Sequence, residues 1–175
     1  MGRLIFTSNR RGRSGLKEAL QTIFTAELLY PSRELWLVSP WISNIGVIDD
    51  TAGRFRQLNE TGHRSINLVD VLTRVAFDGS RVHVVTRPDE SAPFVTALRS
   101  SYVTPEGSST GSIRVVERDT LHAKGLAGDD YCIWGSMNLT WSGTSRWEEL
   151  IEVTDSTRAE EIRDEFRQEY GDDDV

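Results

Sequence analysis

Apolar side chains fall at helical spacing from Ser14 to Tyr30, at Leu16, Leu20, Ile23, Phe24 and Leu28, and Pro31 stops the run. Glu34 to Ser39 (ELWLVS) has the length and branching of a short buried strand, closed by Pro40. Asn44 to Arg64 holds three glycines among polar residues and predicts a loop with at most a short helix. Ile66 to Phe77 returns to helical spacing until Asp78-Gly79 breaks it, and Arg81 to Thr86 (RVHVVT) is a β-branched strand. Ala92 to Tyr102 reads as helix, followed by a small polar loop from Thr104 to Gly111. Four short strands then fit Ile113–Val116, His122–Ala127, Tyr131–Gly135 and Leu150–Val153. Thr157-x-x-Glu160 is a capping-box pattern at the head of a last helix running to about Tyr170. Strands separated by helical crossovers, with a hairpin-like run near the end, predict a mixed α/β sheet flanked by helices on both faces.

No linker or internal repeat divides the chain. Its 175 residues suit a single domain, 1–175, with a basic N-terminal arm at 1–13 and an acidic tail at 171–175. At 38% hydrophobic residues, a chain of this length can bury a core without disulfides or a structural metal. The single cysteine, Cys132, excludes an intrachain disulfide and a Cys-based zinc site, and it reads as a small buried residue, not a nucleophile. No apolar run approaches bilayer-spanning length, and Leu4 to Phe6 is too short for a signal-peptide core. The expectation is a reduced, cytoplasmic protein that does not use a membrane.

The net charge of −7 is unevenly spread. From Asp155 onward there are nine acidic residues and three arginines, which leaves only −1 over the first 154 residues. The acidity therefore argues weakly against a nucleic-acid partner, while the sequence displays no basic patch in favour of one. Lysine is scarce: of 20 basic residues only Lys17 and Lys124 are lysine.

That scarcity draws attention to Leu121–Val153, where His122-Ala-Lys124 precedes Asp129 and then Gly135-Ser136-Met137-Asn138. On an extended strand residues i and i+2 share a face, so His122 and Lys124 should project together. Gly135-Ser136 permits a tight bend, and Asn138 adds an amide donor two residues on. Imidazole, ammonium, hydroxyl and amide at one sheet edge suit a phosphate diester, whose charge must be held while its phosphorus is attacked.

His122-x-Lys124-x4-Asp129 followed by Gly135-Ser136-x-Asn138 resembles the HKD motif of the phospholipase D superfamily, and is closest to its short, single-motif bacterial endonucleases. The resemblance covers roughly residues 14 to 170 and includes a glutamate beyond the motif, here Glu149. It implies a phospholipase D-like mixed sheet and a metal-independent phosphodiesterase without cofactor. The substrate it implies is nucleic acid, DNA before RNA or a small diester. In that family's terms His122 attacks phosphorus and forms a phosphohistidine. Lys124 and Asn138 bind the non-bridging oxygens, with Ser136 supporting. Glu149 fixes the His122 tautomer, and Asp129 supports the fold or the lysine. A second histidine must act as general acid, but this chain has one motif, and neither His63 nor His83 carries a lysine at +2. The implied unit is a homodimer sharing one active site on its two-fold axis.

Duller readings stand beside these. His63 and His83 read as packed or solvated histidines. Trp134, Trp141 and Trp147 read first as walls of a core or dimer interface, and second as platforms for nucleobases. Ser39-Pro40-Trp41-Ile42-Ser43 sits where a loop could reach the site's rim. As a whole, the alternative to an enzyme is a non-catalytic phospholipase D-like module. It would bind nucleic acid or partner proteins within a DNA-modification or defence system. Phospholipid hydrolysis is the weaker enzymatic alternative, because no amphipathic basic stretch is present to dock on a bilayer.

Overall fold

The computed structural model describes residues 2–8, 10–55, 65–103, 111–145, 150–154 and 156–171. The chain begins with a short strand, β1 (Arg3–Phe6), and a long helix, α1 (Arg10–Leu29). After β2 (Glu34–Val38), two short strands, β3 (Gly46–Asp49) and β4 (Ser65–Asn67), pair with each other apart from the main sheet. Then come α2 (Leu68–Phe77), β5 (Arg81–Thr86), α3 (Pro88–Ser101) and β6 (Ser112–Glu117). The last third holds β7 (Gly125–Ala127), β8 (Cys132–Gly135), α4 (Trp141–Ser145), β9 (Leu150–Thr154) and α5 (Ser156–Tyr170).

Strand alternation builds the layers. Leu35, Leu37, Val82, Val84, Leu126 and Ile133 point to one face and pack under α1, α2 and α3. Trp36, Val38, Val85, Ala127 and Cys132 point to the other, where Ala159 of α5 meets them. The sheet order is β1-β9-β8-β7-β2-β5-β6. The strands β2, β5 and β6 are parallel, while β7, β8, β9 and β1 continue as an antiparallel run. The mixed sheet with helices on both faces is the architecture the hydrophobic pattern predicts.

Five boundaries differ from the sequence reading, each for a physical reason. Residues 3–6 are not part of a solvated arm: Ile5 is buried opposite Ile151, which makes β1 an edge strand. The glycine-rich stretch after Asn44 holds β3, because Val47 and Ile48 bury beside Ile66 of β4. Asn67 then starts α2 through a reciprocal capping box with Asp70, two residues later than spacing alone suggests. α3 starts four residues early because Pro88 takes the first helical position. Finally, β7 covers only Gly125–Ala127, since Gly125 already pairs with the last residue of β2, Val38. Residues 122–124 extend past the ladder as irregular backbone.

α5 is fastened to the sheet through a buried carboxylate. Glu34 of β2 accepts from Arg167 Nε at 2.8 Å and also pairs with Arg167 Nη2. His83 stacks on Trp36 with ring centroids 4.2 Å apart, and its Nε2 lies 3.4 Å from Glu34. Neither His83 nitrogen finds a hydrogen-bond partner among the described residues. Burial holds the imidazole below its ordinary 6.5, only partly offset by Glu34, while Arg114, Arg81 and Arg167 also oppose its charge. Burial acts on Glu34 in the opposite sense, but Arg167 outweighs it and keeps this carboxyl below its usual range.

Both groups therefore bind protons less readily folded than unfolded. Stability is full at neutral pH, declines below about pH 6.5 as His83 must charge, and declines again once Glu34 protonates below its ordinary 4.5. Urea midpoints measured across this range should slope with pH, and His83→Phe should remove the upper part of the slope. Identical slopes in both proteins would show that His83 is not the group responsible.

Candidate active site

In open α/β sheets ligands bind beyond the carboxyl ends of the parallel strands. β2 and β5 end together here, with Ser39 N donating to Val85 O at 3.0 Å. Because β7 runs antiparallel to β2, its beginning lies at that same edge, and so does the end of β8. The topology thus delivers His122 and Lys124 from one side of the hairpin and Ser136 and Asn138 from the other. All four line one cleft of about 840 Å³.

The four side chains differ in environment. His122 is exposed and Lys124 is half-buried, with its Nζ donating to the His122 carbonyl at 2.7 Å. Arg87 Nε donates to Leu121 O at 2.9 Å, which fixes the backbone just before the histidine. Gly135 has φ 150°, a conformation side-chain-bearing residues rarely adopt, and it turns the chain from β8 toward Ser136. Asn138 is only 6% exposed. Its Oδ1 lies 3.4 Å from Ser39 Oγ, which leaves the NH₂ as the amide's donating edge. A Cβ on Gly143 would sit 2.2 Å from the Asn138 carbonyl oxygen, so α4 braces the asparagine at backbone contact distance.

One of the expected residues, Asp129, is not in this cluster. Asp129 lies at the far end of the β7–β8 hairpin, where it accepts from Arg33 N at 3.0 Å and Arg33 Nε at 3.1 Å. Burial would raise this carboxyl, but the Arg33 contacts prevail and hold it low. Its own amide donates to Ser32 Oγ at 2.9 Å, and Ser32 in turn donates to buried Glu27. Asp129 therefore ties the hairpin to the start of β2, away from the cleft. Glu149, with Trp147 and His63, lies outside the described residues. Cys132 is fully buried, and burial pushes its thiol up to about 12, which removes any thiolate at neutral pH.

The cleft also gathers residues that no motif announced. Arg87 from the head of α3 and Arg158 from α5 join Lys124, so three cations line a cavity in a chain of net charge −7. Glu165 is the acidic residue among the lining side chains. Pro40 and Trp41 of the segment after the first buried strand do reach the rim, as their position suggested. Trp134 and Trp141 are exposed, at 40% and 63%, and do not wall the core.

Against known proteins, the family model described as a cardiolipin synthase, phospholipase D-like domain matches residues 60–170. The chain belongs to this phospholipase D-like family. No curated protein matches it in sequence. Solved structures share its fold. One is a phospholipase D family member, Nuc from Salmonella typhimurium, at TM-score 0.59 and 11% identity, covering 98% of this chain and 94% of that one. Another is NucT from Helicobacter pylori, at TM-score 0.55 and 9% identity, covering 96% and 94%. Polyphosphate kinase from Porphyromonas gingivalis matches at TM-score 0.62 and 15% identity, over 98% of this chain but 26% of the kinase. The match to the family model spans His122 through α5, the stretch that forms most of the cleft.

The bracing of Asn138 can be tested directly. Gly143→Ala should destabilise this phospholipase D-like fold by about 1–3 kcal/mol, because the added methyl meets fixed backbone and not a movable side chain. A thermal melt unchanged from the native protein would mean that α4 has room to shift away.

Proposed function

We propose that this chain is a metal-independent phosphodiesterase that cleaves DNA, with His122 as nucleophile in a site shared by two copies. The convergence of an exposed imidazole, an ammonium and a buried amide in one cation-rimmed cleft carries the reading. A ring nitrogen of His122 attacks phosphorus, and a P–N bond forms as the P–O bond to the leaving strand breaks. Lys124 and Asn138 hold the non-bridging oxygens, where negative charge must be stabilised, and Ser136 supports them. The leaving oxygen takes its proton from the imidazole of the second copy. That imidazole then deprotonates a water, which attacks phosphorus, breaks the P–N bond and restores His122. In this scheme Glu149 accepts from the other ring nitrogen of His122 and fixes its tautomer. Arg87, Lys124 and Arg158 supply the local attraction for a polyanion that the net charge lacks.

The test is cleavage of single- and double-stranded DNA with chelator present. The native protein should cut, and His122→Ala should not. Lys124→Ala should lose roughly 10²–10³ in rate, as expected for a donor to the transition-state oxygens. Asp129→Asn should cost about 1 kcal/mol of stability yet keep cleavage, since its partners lie outside the cleft. Sedimentation should show a dimer. Cleavage lost on chelation, or retained by His122→Ala, would reject the histidine mechanism. A folded protein that binds DNA and never cuts it would be the accessory module instead.

A further inference from the structure

Trp134 is the penultimate residue of β8, with its indole 40% exposed and lining the same cleft as His122. Single exposed aromatics need no explanation in general. This one has a partner that points to a ligand: the Arg158 guanidinium lies 5.7 Å from its ring centroid, over the π-face. Arg158 is otherwise bound to Glu161 at 2.5 Å, in a surface pair of two half-exposed side chains. Such pairs contribute little, so the guanidinium can leave the ring at small cost. The register across the sheet extends the surface. Leu4 of β1 faces Glu152 of β9, and Glu152 faces Trp134, so the three share one sheet face with Phe6. Leu4 is 67% and Phe6 53% exposed. Beyond Trp134 this row of described residues is thus mostly apolar, with Glu152 its one carboxylate, whereas the cations Arg87, Lys124 and Arg158 line the cleft itself.

We infer that Trp134 and Arg158 form a nucleobase subsite next to the reacting phosphate, and that the enzyme therefore takes unpaired DNA. This rests on the phosphodiesterase reading of the same cleft. The base stacks on the Trp134 indole in the place the guanidinium holds, and Arg158, displaced, turns to the next backbone phosphate. A base within a duplex has both faces stacked already and must first be extruded, at a cost of a few kcal/mol. A base in a single strand offers its face freely.

The probe is a short fluorescent single-stranded oligonucleotide, its duplex, and a set in which one abasic residue is moved along the strand. Binding is measured by anisotropy with His122→Ala, so that no cleavage is required. The single strand should bind at least about tenfold more tightly than the duplex, and an abasic residue at one position should cost about tenfold, within the range for stacking on an aromatic side chain. In His122→Ala/Trp134→Ala that abasic penalty should vanish, and in His122→Ala/Trp134→Phe most of it should remain. An equal penalty with and without Trp134, or equal binding of strand and duplex, would overturn the subsite. So would a change of sedimentation in Trp134→Ala with the penalty intact, which would make Trp134 a contact between copies. The two readings fail separately: a Trp134-dependent penalty in a protein that never cleaves keeps the subsite and removes the catalysis. Cleavage of intact and abasic strands alike does the reverse.

Discussion

The antiparallel pairing of β7 with β2 is the constraint on which the site depends. Among the parallel strands β2, β5 and β6, Val38 is where β2 ends, and the ligand edge begins just beyond it. Had β7 entered parallel to its neighbour, His122 and Lys124 would lie at the opposite edge with Glu34 and Arg81. Because β7 reverses, its first residue pairs with Val38, and the segment before it emerges where β2 and β5 terminate. The hairpin to β8 then returns the chain to the same place, so two stretches twelve or more residues apart meet across one cleft.

The two ends of the sheet carry different polar chemistry. At the closed end several charges are committed. Glu27 accepts from Ser32, Asp129 from Arg33, Glu34 from Arg167, and an Arg163 guanidinium nitrogen donates to Gly128 O. Those bonds join α1, β2, the β7–β8 turn and α5, and they replace the water that buried charges lose. At the open end the charges are mostly cationic and the aromatic side chains stand in solvent. The hairpin can place the side chains of the cleft accurately because its turn is locked at the other end.

α5 serves both ends. Its later turns hold Glu34 through Arg167 and pack Phe166 against Gly125, where an added Cβ would stand 3.0 Å from the ring. Its first turn brings Arg158 to Trp134. One helix thus fixes the sheet face and completes the wall of the cleft, which explains how a strongly acidic segment of sequence comes to contribute a cation to the site.

Much of this was legible beforehand. The short apolar run ELWLVS and the β-branched run RVHVVT gave two of the buried strands, and the helical spacing of Leu16, Leu20, Ile23 and Phe24 gave α1. The His122, Lys124, Ser136 and Asn138 spacing pointed to a phosphate site, and those four do share a cleft. What stayed hidden was whatever depends on partners distant in sequence. The β3–β4 pair was masked by glycines, and β1 by its arginines. For Asp129 the motif left support of the fold or of the lysine open, and only its bonds to Arg33 and Ser32 place it at the far edge. Arg87 and Arg158 belong to no local pattern and become neighbours of Lys124 only once three elements converge. Short-range chemistry and burial period are written in the order of residues, so the sequence by itself determined the layers and the reactive motif. Charge at a point in space is a sum over elements that only folding brings together, so the tertiary structure alone decided which end of the sheet each residue serves.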